Sequence, residues 1–289
     1  MTTMCRIATA VARGTLSLLM FKFIIVVPET IYAEDYFQDV DVELVLAVDA
    51  SASMDADEQD VQRRGYAQAI QAFDVVRAVR MGPYGRIALT YVEWGEPGRE
   101  RVVVPWMIVA TAEDAQRFAS MITSAGNSEA ERTSISSGLL FAARQFLSSP
   151  ARSLRRVIDV SGDGPNNVGP PVDATRDRLV RQGIVINGLA ITTKGGEGFG
   201  WKPWLPRDPE ILAAYYRACV IGGAGAFVVS VDRAERFEAA IRQKLVLEIS
   251  GLQPVLMRAA QTNEPLAMDC QVGEKNLHPF DPGHPKPFN

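Results

Sequence analysis

Residues 42–53 read Val42-Glu43-Leu44-Val45-Leu46-Ala47-Val48-Asp49-Ala50-Ser51-Ala52-Ser53. The first seven residues are an almost continuously apolar run, which is too short to span a membrane and lacks the alternation of a half-exposed strand. A run of this kind predicts a central parallel strand that is buried on both faces.

Three oxygen-bearing side chains follow where this strand ends, namely Asp49, Ser51 and Ser53. Alternate residues of an extended chain project to the same side, so the three side chains can converge on one point. Hard oxygen ligands suit Mg²⁺ or Mn²⁺, and we therefore predict a metal site. The alternative is that these residues only form a turn and cap the next helix.

Strand and helix patterns alternate through the rest of the chain. The segments 86–94 and 101–106 are close enough to form a hairpin, and Pro105 favours an edge position for the second of them. Alternation with one hairpin predicts a single α/β domain, doubly wound, with a mostly parallel central sheet and one antiparallel edge strand. We place this domain at residues 34–251 and a C-terminal tail at residues 252–289.

A second buried strand, at residues 155–161, leads into Gly162-Asp163-Gly164. Ligands of open parallel sheets bind outside the carboxyl ends of the strands, so Asp163 is expected near Asp49. Two carboxylates meeting there would be costly without a cation. Thr133 precedes a predicted helix, where its hydroxyl either caps the helix or faces the metal site.

Asp159 lies inside the same strand and is expected to be buried. We interpret it as a structural residue paired with an arginine, for which Arg86, Arg155 and Arg156 are the candidates.

Residues 1–33 have the composition of a targeting segment. Arg6 and Arg13 supply a positive region before an apolar stretch at residues 16–27, and Ala33 fits the last residue before a signal-peptidase cut. We predict a signal peptide and a periplasmic or secreted protein. Because Lys22 interrupts the stretch, the alternative is an uncleaved segment that anchors the chain in the inner membrane; no further membrane insertion is expected.

The net charge limits the classes of partner, and the cysteines bear on the cell compartment. The 289-residue chain has a formal net charge of −4 at pH 7 and no basic stripe, which argues against nucleic acid as a partner. Cys5 falls in the targeting segment, while Cys219 and Cys270 remain in the exported chain. They either form one disulfide that ties the tail to the domain or stay as two unpaired thiols.

Together these segments resemble a von Willebrand factor type A domain, and closely resemble a bacterial family of exported proteins of that class, domain of unknown function 1194. The resemblance rests on residues 44–53, 92–94, 103–106, 156–167, 186–189 and 221–229. It implies a metal-ion-dependent adhesion site, in which an ion keeps one coordination position for a carboxylate of a partner protein.

The resemblance assigns metal ligands residue by residue. The first loop would contribute Asp49, Ser51 and Ser53, the second Thr133, and the third Asp163. Glycines are common before the threonine in relatives, whereas this chain has Glu131 and Arg132 there. Glu131 would compete for the open coordination position of the ion, or Arg132 would assist the binding of an acidic partner. These two residues therefore affect the choice of ligand more than they affect metal binding.

The chain is poor in groups for catalysis. Its only histidines, His278 and His284, lie in the tail, and no Gly-x-Ser-x-Gly elbow or phosphate-binding Gly-x4-Gly-Lys loop is present. We therefore expect a protein-binding module and not an enzyme. The alternatives are metal-assisted hydrolysis of a phosphate or acyl ester, or a metal that only holds the three loops together.

Overall fold

The computed structural model describes residues 37–51, 56–127, 130–192, 209–252 and 268–275. The predicted signal peptide, Ser53 and most of the predicted tail lie outside these ranges. The strands are β1 (Gln38–Asp39), β2 (Glu43–Asp49), β3 (Ile87–Trp94), β4 (Arg101–Val109), β5 (Ala151–Arg152), β6 (Arg156–Gly162), β7 (Ile184–Ile191) and β8 (Val228–Val231). The α-helices are α1 (Ala56–Gln71), α2 (Phe73–Met81), α3 (Ala112–Thr123), α4 (Ile135–Gln145), α5 (Val172–Val180), α6 (Pro209–Tyr215), α7 (Phe237–Ser250) and α8 (Val272–Lys275).

The main sheet has six strands in the order β4-β3-β2-β6-β7-β8. All neighbours are parallel except β3 and β4, which form the predicted antiparallel hairpin with β4 at the edge. Strand β2 lies near the middle and every one of its residues is buried. The strands β1 and β5 form a separate two-stranded sheet. The predicted fold class is confirmed.

Helices cover both faces of the sheet, which explains why the central strand is apolar throughout. Leu44 and Leu46 pack with residues of α1, α2, α3 and α7 in one core cluster. Val45 and Ala47, which alternate with them, pack with residues of α4, α5 and α6 in a second cluster. This two-sided burial is typical of a doubly wound domain.

The helical spacing of apolar residues over 55–80 predicts one helix, but the structure has two, α1 and α2. Ala72 has an extended backbone (φ −62°, ψ 141°) and separates α1 from α2. Val75 and Val79 of α2 enter the same core cluster as Ile70 of α1. Because both helices bury side chains in one cluster, their apolar pattern is continuous in the sequence and does not reveal the break.

The predicted partner of Asp159 was wrong. Asp159 is fully buried, but its Oδ1 lies 2.6 Å from Nζ of Lys244, on α7, and not against an arginine. Lys244 also pairs with Glu248, whose Oε1 accepts a hydrogen bond of 3.0 Å from the amide of Asn187. Helix α7 is far along the chain, so no local pattern could indicate that it supplies the cation.

Two further findings concern the two cysteines and the possibility of a membrane-spanning helix. Cys219 and Cys270 form a disulfide, which is the first of the two alternatives that the sequence left open, and it joins the π-helical turn Tyr216–Val220 to the segment 268–275. Within the described ranges, no helix is long and apolar enough to cross a membrane.

Candidate metal centre

The first loop of the predicted site begins at the carboxyl end of β2. Asp49 is the last residue of the strand, and both Asp49 and Ser51 are buried. The backbone N–H of Ser51 donates a hydrogen bond of 2.8 Å to Oδ1 of Asp49, which turns the chain sharply after the strand. The amide of Gln62, on α1, donates to the backbone carbonyl of Asp49 at 3.1 Å. Asp49 and Ser51 are therefore held by a hydrogen bond between them and by the following helix.

The second loop brings Thr133 to the first. The hydroxyl of Thr133 lies 3.2 Å from the hydroxyl of Ser51. The N-cap of α4 is Ser134, whose hydroxyl accepts a 3.3 Å hydrogen bond from the backbone N–H of Ser137. The alternative that Thr133 caps the helix is therefore wrong, because its neighbour performs that role. The hydroxyl of Thr133 is directed to the predicted metal site instead.

Both loops are attached to the end of β3. The backbone N–H of Ala50 donates to the carbonyl of Trp94, and the N–H of Ser134 donates to the carbonyl of Gly95, each at 2.8 Å. Two successive carbonyls thus hold the two loops side by side. This explains how hydroxyls from distant parts of the chain meet at one point.

The third loop follows β6. Asp163 lies directly after Gly162, the last residue of the strand, and its negative charge acts on the carboxyl group of Asp49. A Cβ atom on Gly162 would lie 3.0 Å from Oδ2 of Asp49 and 2.7 Å from the hydroxyl of Tyr216. Only glycine allows the third loop to approach the first this closely.

The pKa of the buried carboxyl group of Asp49 lies far above its ordinary value. Burial, together with the negative charge of Asp163, raises the pKa of Asp49 to about 8, although the N–H groups of Ser51 and Asp163 oppose the rise. The Oδ2 atom of Asp49 is buried and has no hydrogen-bond partner among the described residues. A nearby cation would favour the ionised carboxylate and satisfy this oxygen.

The available ligand atoms fit Mg²⁺ or Mn²⁺. Asp49, Ser51, Thr133 and Asp163 offer carboxylate and hydroxyl oxygens only, which hard divalent ions prefer. In the part of the chain that the structure describes, no group of three or more histidine, cysteine, aspartate and glutamate side chains comes together. Ser53 lies outside the described residues, so its place in the predicted ligand set stays a prediction.

Two residues that the sequence did not single out connect the second and third loops. The backbone N–H of Thr133 donates to Oδ1 of Asn167 at 3.1 Å, and the N–H of Asn167 donates to the carbonyl of Thr133 at 2.9 Å. The preceding residue, Asn166, is fully buried and accepts a 3.0 Å hydrogen bond from the N–H of Ser136 on α4. The asparagine pair after Asp163 was the available signal, but asparagines are so common in turns that it indicated only a turn.

Aromatic side chains form the floor beneath the site. Trp94 is buried, and both its ring and the hydroxyl of Tyr216 lie against Gly162. Burial, followed by the charges of Asp49 and Asp163, raises the pKa of Tyr216 well above its ordinary value. Tyr216 therefore stays neutral. Glu131 and Arg132, by contrast, are exposed at the rim beside Thr133.

Comparisons with solved structures agree with this architecture. Proximal thread matrix protein 1 from the mussel byssus, with a zinc-occupied MIDAS motif, has 15% sequence identity and a TM-score of 0.52, over 74% of this chain and 49% of that chain. A second crystal form of the mussel protein gives 17% identity and a TM-score of 0.50 over the same shares. The pilus adhesin SpaC from Lactobacillus rhamnosus GG, in an open conformation, has 13% identity and a TM-score of 0.50, over 74% of this chain and 30% of that one.

At these identities the solved structures establish the fold alone, and this chain spans about half the length of the mussel protein. No curated protein is similar enough to this chain to count as a match. A family model described as protein of unknown function (DUF1194) matches residues 39–253, which is most of the chain. The chain therefore belongs to the DUF1194 family, and its domain has the von Willebrand factor type A fold.

Proposed function

We propose that this protein is a metal-ion-dependent protein-binding module of the bacterial cell envelope. Asp49, Ser51, Ser53, Thr133 and Asp163 would hold Mg²⁺ or Mn²⁺. The bound ion would supply an electrophilic coordination position that an acidic side chain of a partner protein fills.

The observation that carries the proposal is the meeting of three loops at the carboxyl edge of the sheet. The hydroxyls of Thr133 and Ser51 lie 3.2 Å apart, and Asp163 is close enough to Asp49 for its charge to raise the pKa of Asp49. Such a set contains few charged ligands, so an ion held there retains affinity for an external anion. Glu131 and Arg132, which precede Thr133, are exposed and therefore available to contact a partner.

The structural neighbours support the same assignment by analogy. One is a byssus matrix protein with a zinc-occupied MIDAS motif, and another is a pilus adhesin. An envelope location is consistent with the disulfide between Cys219 and Cys270, because disulfides persist in oxidising compartments. The targeting composition of residues 1–33 points to the same location.

The first test is calorimetric titration of Mg²⁺, and then Mn²⁺, into purified protein that has been stripped with a chelator. We expect about one ion per chain for the wild type and none for Asp49→Asn, which removes a buried ligand charge. Asp74→Asn is the matched control, because Asp74 is a partly exposed acid on α2 that pairs with Arg242. No binding to the wild type would refute the proposal.

The second test concerns the partner. Immobilised wild-type protein and Asp49→Asn are exposed to a bacterial envelope extract, with Mg²⁺ or with EDTA. A partner of the proposed kind is retained only by the wild type with Mg²⁺, and replacing one of its own acidic residues abolishes retention. Retention that ignores both EDTA and the Asp49 substitution would contradict the metal-bridged mode.

Two other outcomes would assign a different role to the metal. If Mg²⁺ raises the unfolding temperature but no partner binds in a metal-dependent way, the ion is structural. If p-nitrophenyl phosphate or p-nitrophenyl acetate is hydrolysed only with metal, and not by Asp49→Asn, the protein is a metal-assisted hydrolase.

A further inference from the structure

The C-terminal segment 268–275 lies directly on the third loop of the candidate site. The disulfide between Cys219 and Cys270 attaches this segment to the π-helical turn after α6. Further along it, a Cβ atom on Gly273 would lie only 1.9 Å from the backbone carbonyl oxygen of Asn166. The two backbones are thus packed so closely that Gly273 cannot carry a side chain.

Hydrogen bonds reinforce this packing at the same residue. The side-chain amide of Asn166 donates a 2.7 Å hydrogen bond to Oε1 of Glu274. Its backbone N–H donates to the hydroxyl of Tyr215 at 3.1 Å, and that hydroxyl donates to the carbonyl of Cys270 at 3.4 Å. Asn166 is therefore held by the segment both through its side chain and through its backbone.

Asn166 passes this constraint on to the predicted ligands. Its Oδ1 atom accepts the N–H of Ser136 in the first turn of α4, and the next residue, Asn167, exchanges two hydrogen bonds with Thr133. Asp163 lies three residues before Asn166 in the same loop. Fixing Asn166 thus sets the distance between the second and third loops, which is the distance between two ligand groups.

We propose that residues 268–275 act as a buttress of the metal centre, with Glu274 as a positioning residue for the third loop. The buttress rests on the proposed function, since it serves the metal site described above. It assigns a role to a part of the chain after the family match, which ends at residue 253. The segment bonds to the side chain of Asn166, and through Asn166 and Asn167 it acts on the predicted ligands.

The placement of Glu274 is consistent with this role. Its Oε2 atom is buried and has no hydrogen-bond partner among the described residues. The hydrogen bond from Asn166 to Oε1 therefore offsets part of the cost of burying this carboxylate. The neighbouring Lys275 behaves differently, because it makes an exposed ion pair of 2.7 Å with Asp269 inside the segment. The two adjacent residues therefore provide a matched pair of substitutions.

The test compares Glu274→Leu, Glu274→Gln and Lys275→Ala in the purified protein. Glu274→Leu removes the acceptor for Asn166, Glu274→Gln keeps an oxygen there, and Lys275→Ala changes only the exposed pair. Hydrogen exchange of the backbone amides of residues 163, 164 and 166–168 is measured without metal, and the dissociation constant for Mg²⁺ is measured by calorimetry.

We expect Glu274→Leu to speed the exchange of these amides and to raise the dissociation constant about threefold to tenfold, the effect of one lost hydrogen bond. Glu274→Gln restores most of both values, and Lys275→Ala matches the wild type. Replacing both cysteines by serine releases the segment, so it speeds the exchange of these amides by more than the general acceleration that its lower global stability causes. A global loss of stability would instead speed exchange throughout the sheet.

Unchanged loop exchange in Glu274→Leu and in the double serine variant would overturn the buttress. This result is independent of metal binding. If the wild type binds no Mg²⁺, the proposed function fails, while the loop exchange still decides whether the segment holds the third loop. Faster exchange with an unaltered dissociation constant for Mg²⁺ would also refute the positioning role.

Discussion

The hydroxyl of Thr133 lies 3.2 Å from the hydroxyl of Ser51, although 82 positions separate the two residues in the chain. The contact depends on β3, because the carbonyl of Gly95 accepts the backbone N–H of Ser134 and so places the second loop beside the first. A pair of hydroxyls at the carboxyl edge of a parallel sheet, next to a buried carboxyl group, is the geometric core of the proposed metal site.

This contact leads to a prediction for Thr133. Thr133→Val keeps the shape of the side chain but removes the hydroxyl, so we expect the dissociation constant for Mg²⁺ to rise at least about tenfold, as for losses around other metal sites. Thr133→Ser keeps the hydroxyl and should bind within about threefold of the wild type, since only packing is lost. Calorimetry measures both. Equal affinities for Thr133→Val and the wild type would exclude Thr133 as a ligand.

The raised pKa of Asp49 predicts a pH dependence of the metal-free protein. Between the ordinary value of 3.8 and the folded value of about 8, the folded protein holds a proton that the unfolded chain has lost. The free energy of unfolding must then fall as pH rises through this window, with a slope of at most about 1.4 kcal/mol per pH unit for one proton. Asp49→Asn removes this contribution. The free energy of unfolding of the variant, minus that of the wild type, should therefore increase from pH 5 to pH 8. Urea unfolding with EDTA provides the measurement, and parallel profiles for the two proteins would contradict it.

The same proton competes with the metal. Because an ion binds the carboxylate of Asp49 and not the acid, Mg²⁺ should displace about one proton per ion below pH 8. Its affinity should therefore rise up to about tenfold per pH unit in that range. Calorimetry in two buffers with different ionisation enthalpies counts the released protons. A binding enthalpy that does not depend on the buffer would show that Asp49 is already ionised without metal.

The disulfide predicts both a thiol count and a loss of stability. The unreduced, denatured exported chain should contain no free thiol, because Cys219 and Cys270 are bonded. Cys219→Ser/Cys270→Ser removes a closure over a sequence separation of 51 residues. In the chain-entropy model this lowers the free energy of unfolding by about 4 kcal/mol. Thiol titration and urea unfolding test the two statements; two titratable thiols in the wild type would refute the first.

The buried charges beneath α7 predict a sharp effect of Lys244. Lys244→Met leaves the carboxylates of Asp159 and Glu248 buried without their cation, so the free energy of unfolding should fall by about 3–5 kcal/mol near neutral pH. Burial raises the pKa of Asp159, and burial together with the charge of Asp159 raises the pKa of Glu248 to about 7, even while Lys244 opposes both. Without Lys244 both groups take up protons on folding, so the loss should be smaller at pH 5 than at pH 8.

The control for this prediction is Arg242→Met on the same helix. Arg242 is exposed and pairs with Asp74 at 3.4 Å, so its removal should cost at most about 1 kcal/mol at either pH. Equal losses for the two variants would mean that the buried cluster contributes nothing beyond a surface pair.

Much of the fold was predictable because the apolar pattern of each strand indicates which of its faces are buried. The apolar run before Asp49 indicated a strand buried on both faces, and the close spacing of two strands indicated the antiparallel edge. The helix boundaries were less accurate. Ala72 separates two helices within a pattern that stays apolar on one face. The helix cap is Ser134 and not Thr133, and the sequence could not distinguish them because serine and threonine are both favoured at N-caps.

For the site, the sequence by itself determined which oxygen-bearing residues follow the carboxyl ends of two buried strands, since strand periodicity is a local property. It suggested the wrong partner for Asp159, and it indicated no more than a turn at Asn166 and no role for Glu274, since those contacts join segments far apart in the chain. Only the tertiary structure decided that Lys244 pairs with the buried carboxylates of Asp159 and Glu248, and that the C-terminal segment packs on the third loop. The physical reason is that ion pairing and hydrogen bonding depend on distances that the packing of helices and loops around the sheet creates, which no local pattern encodes.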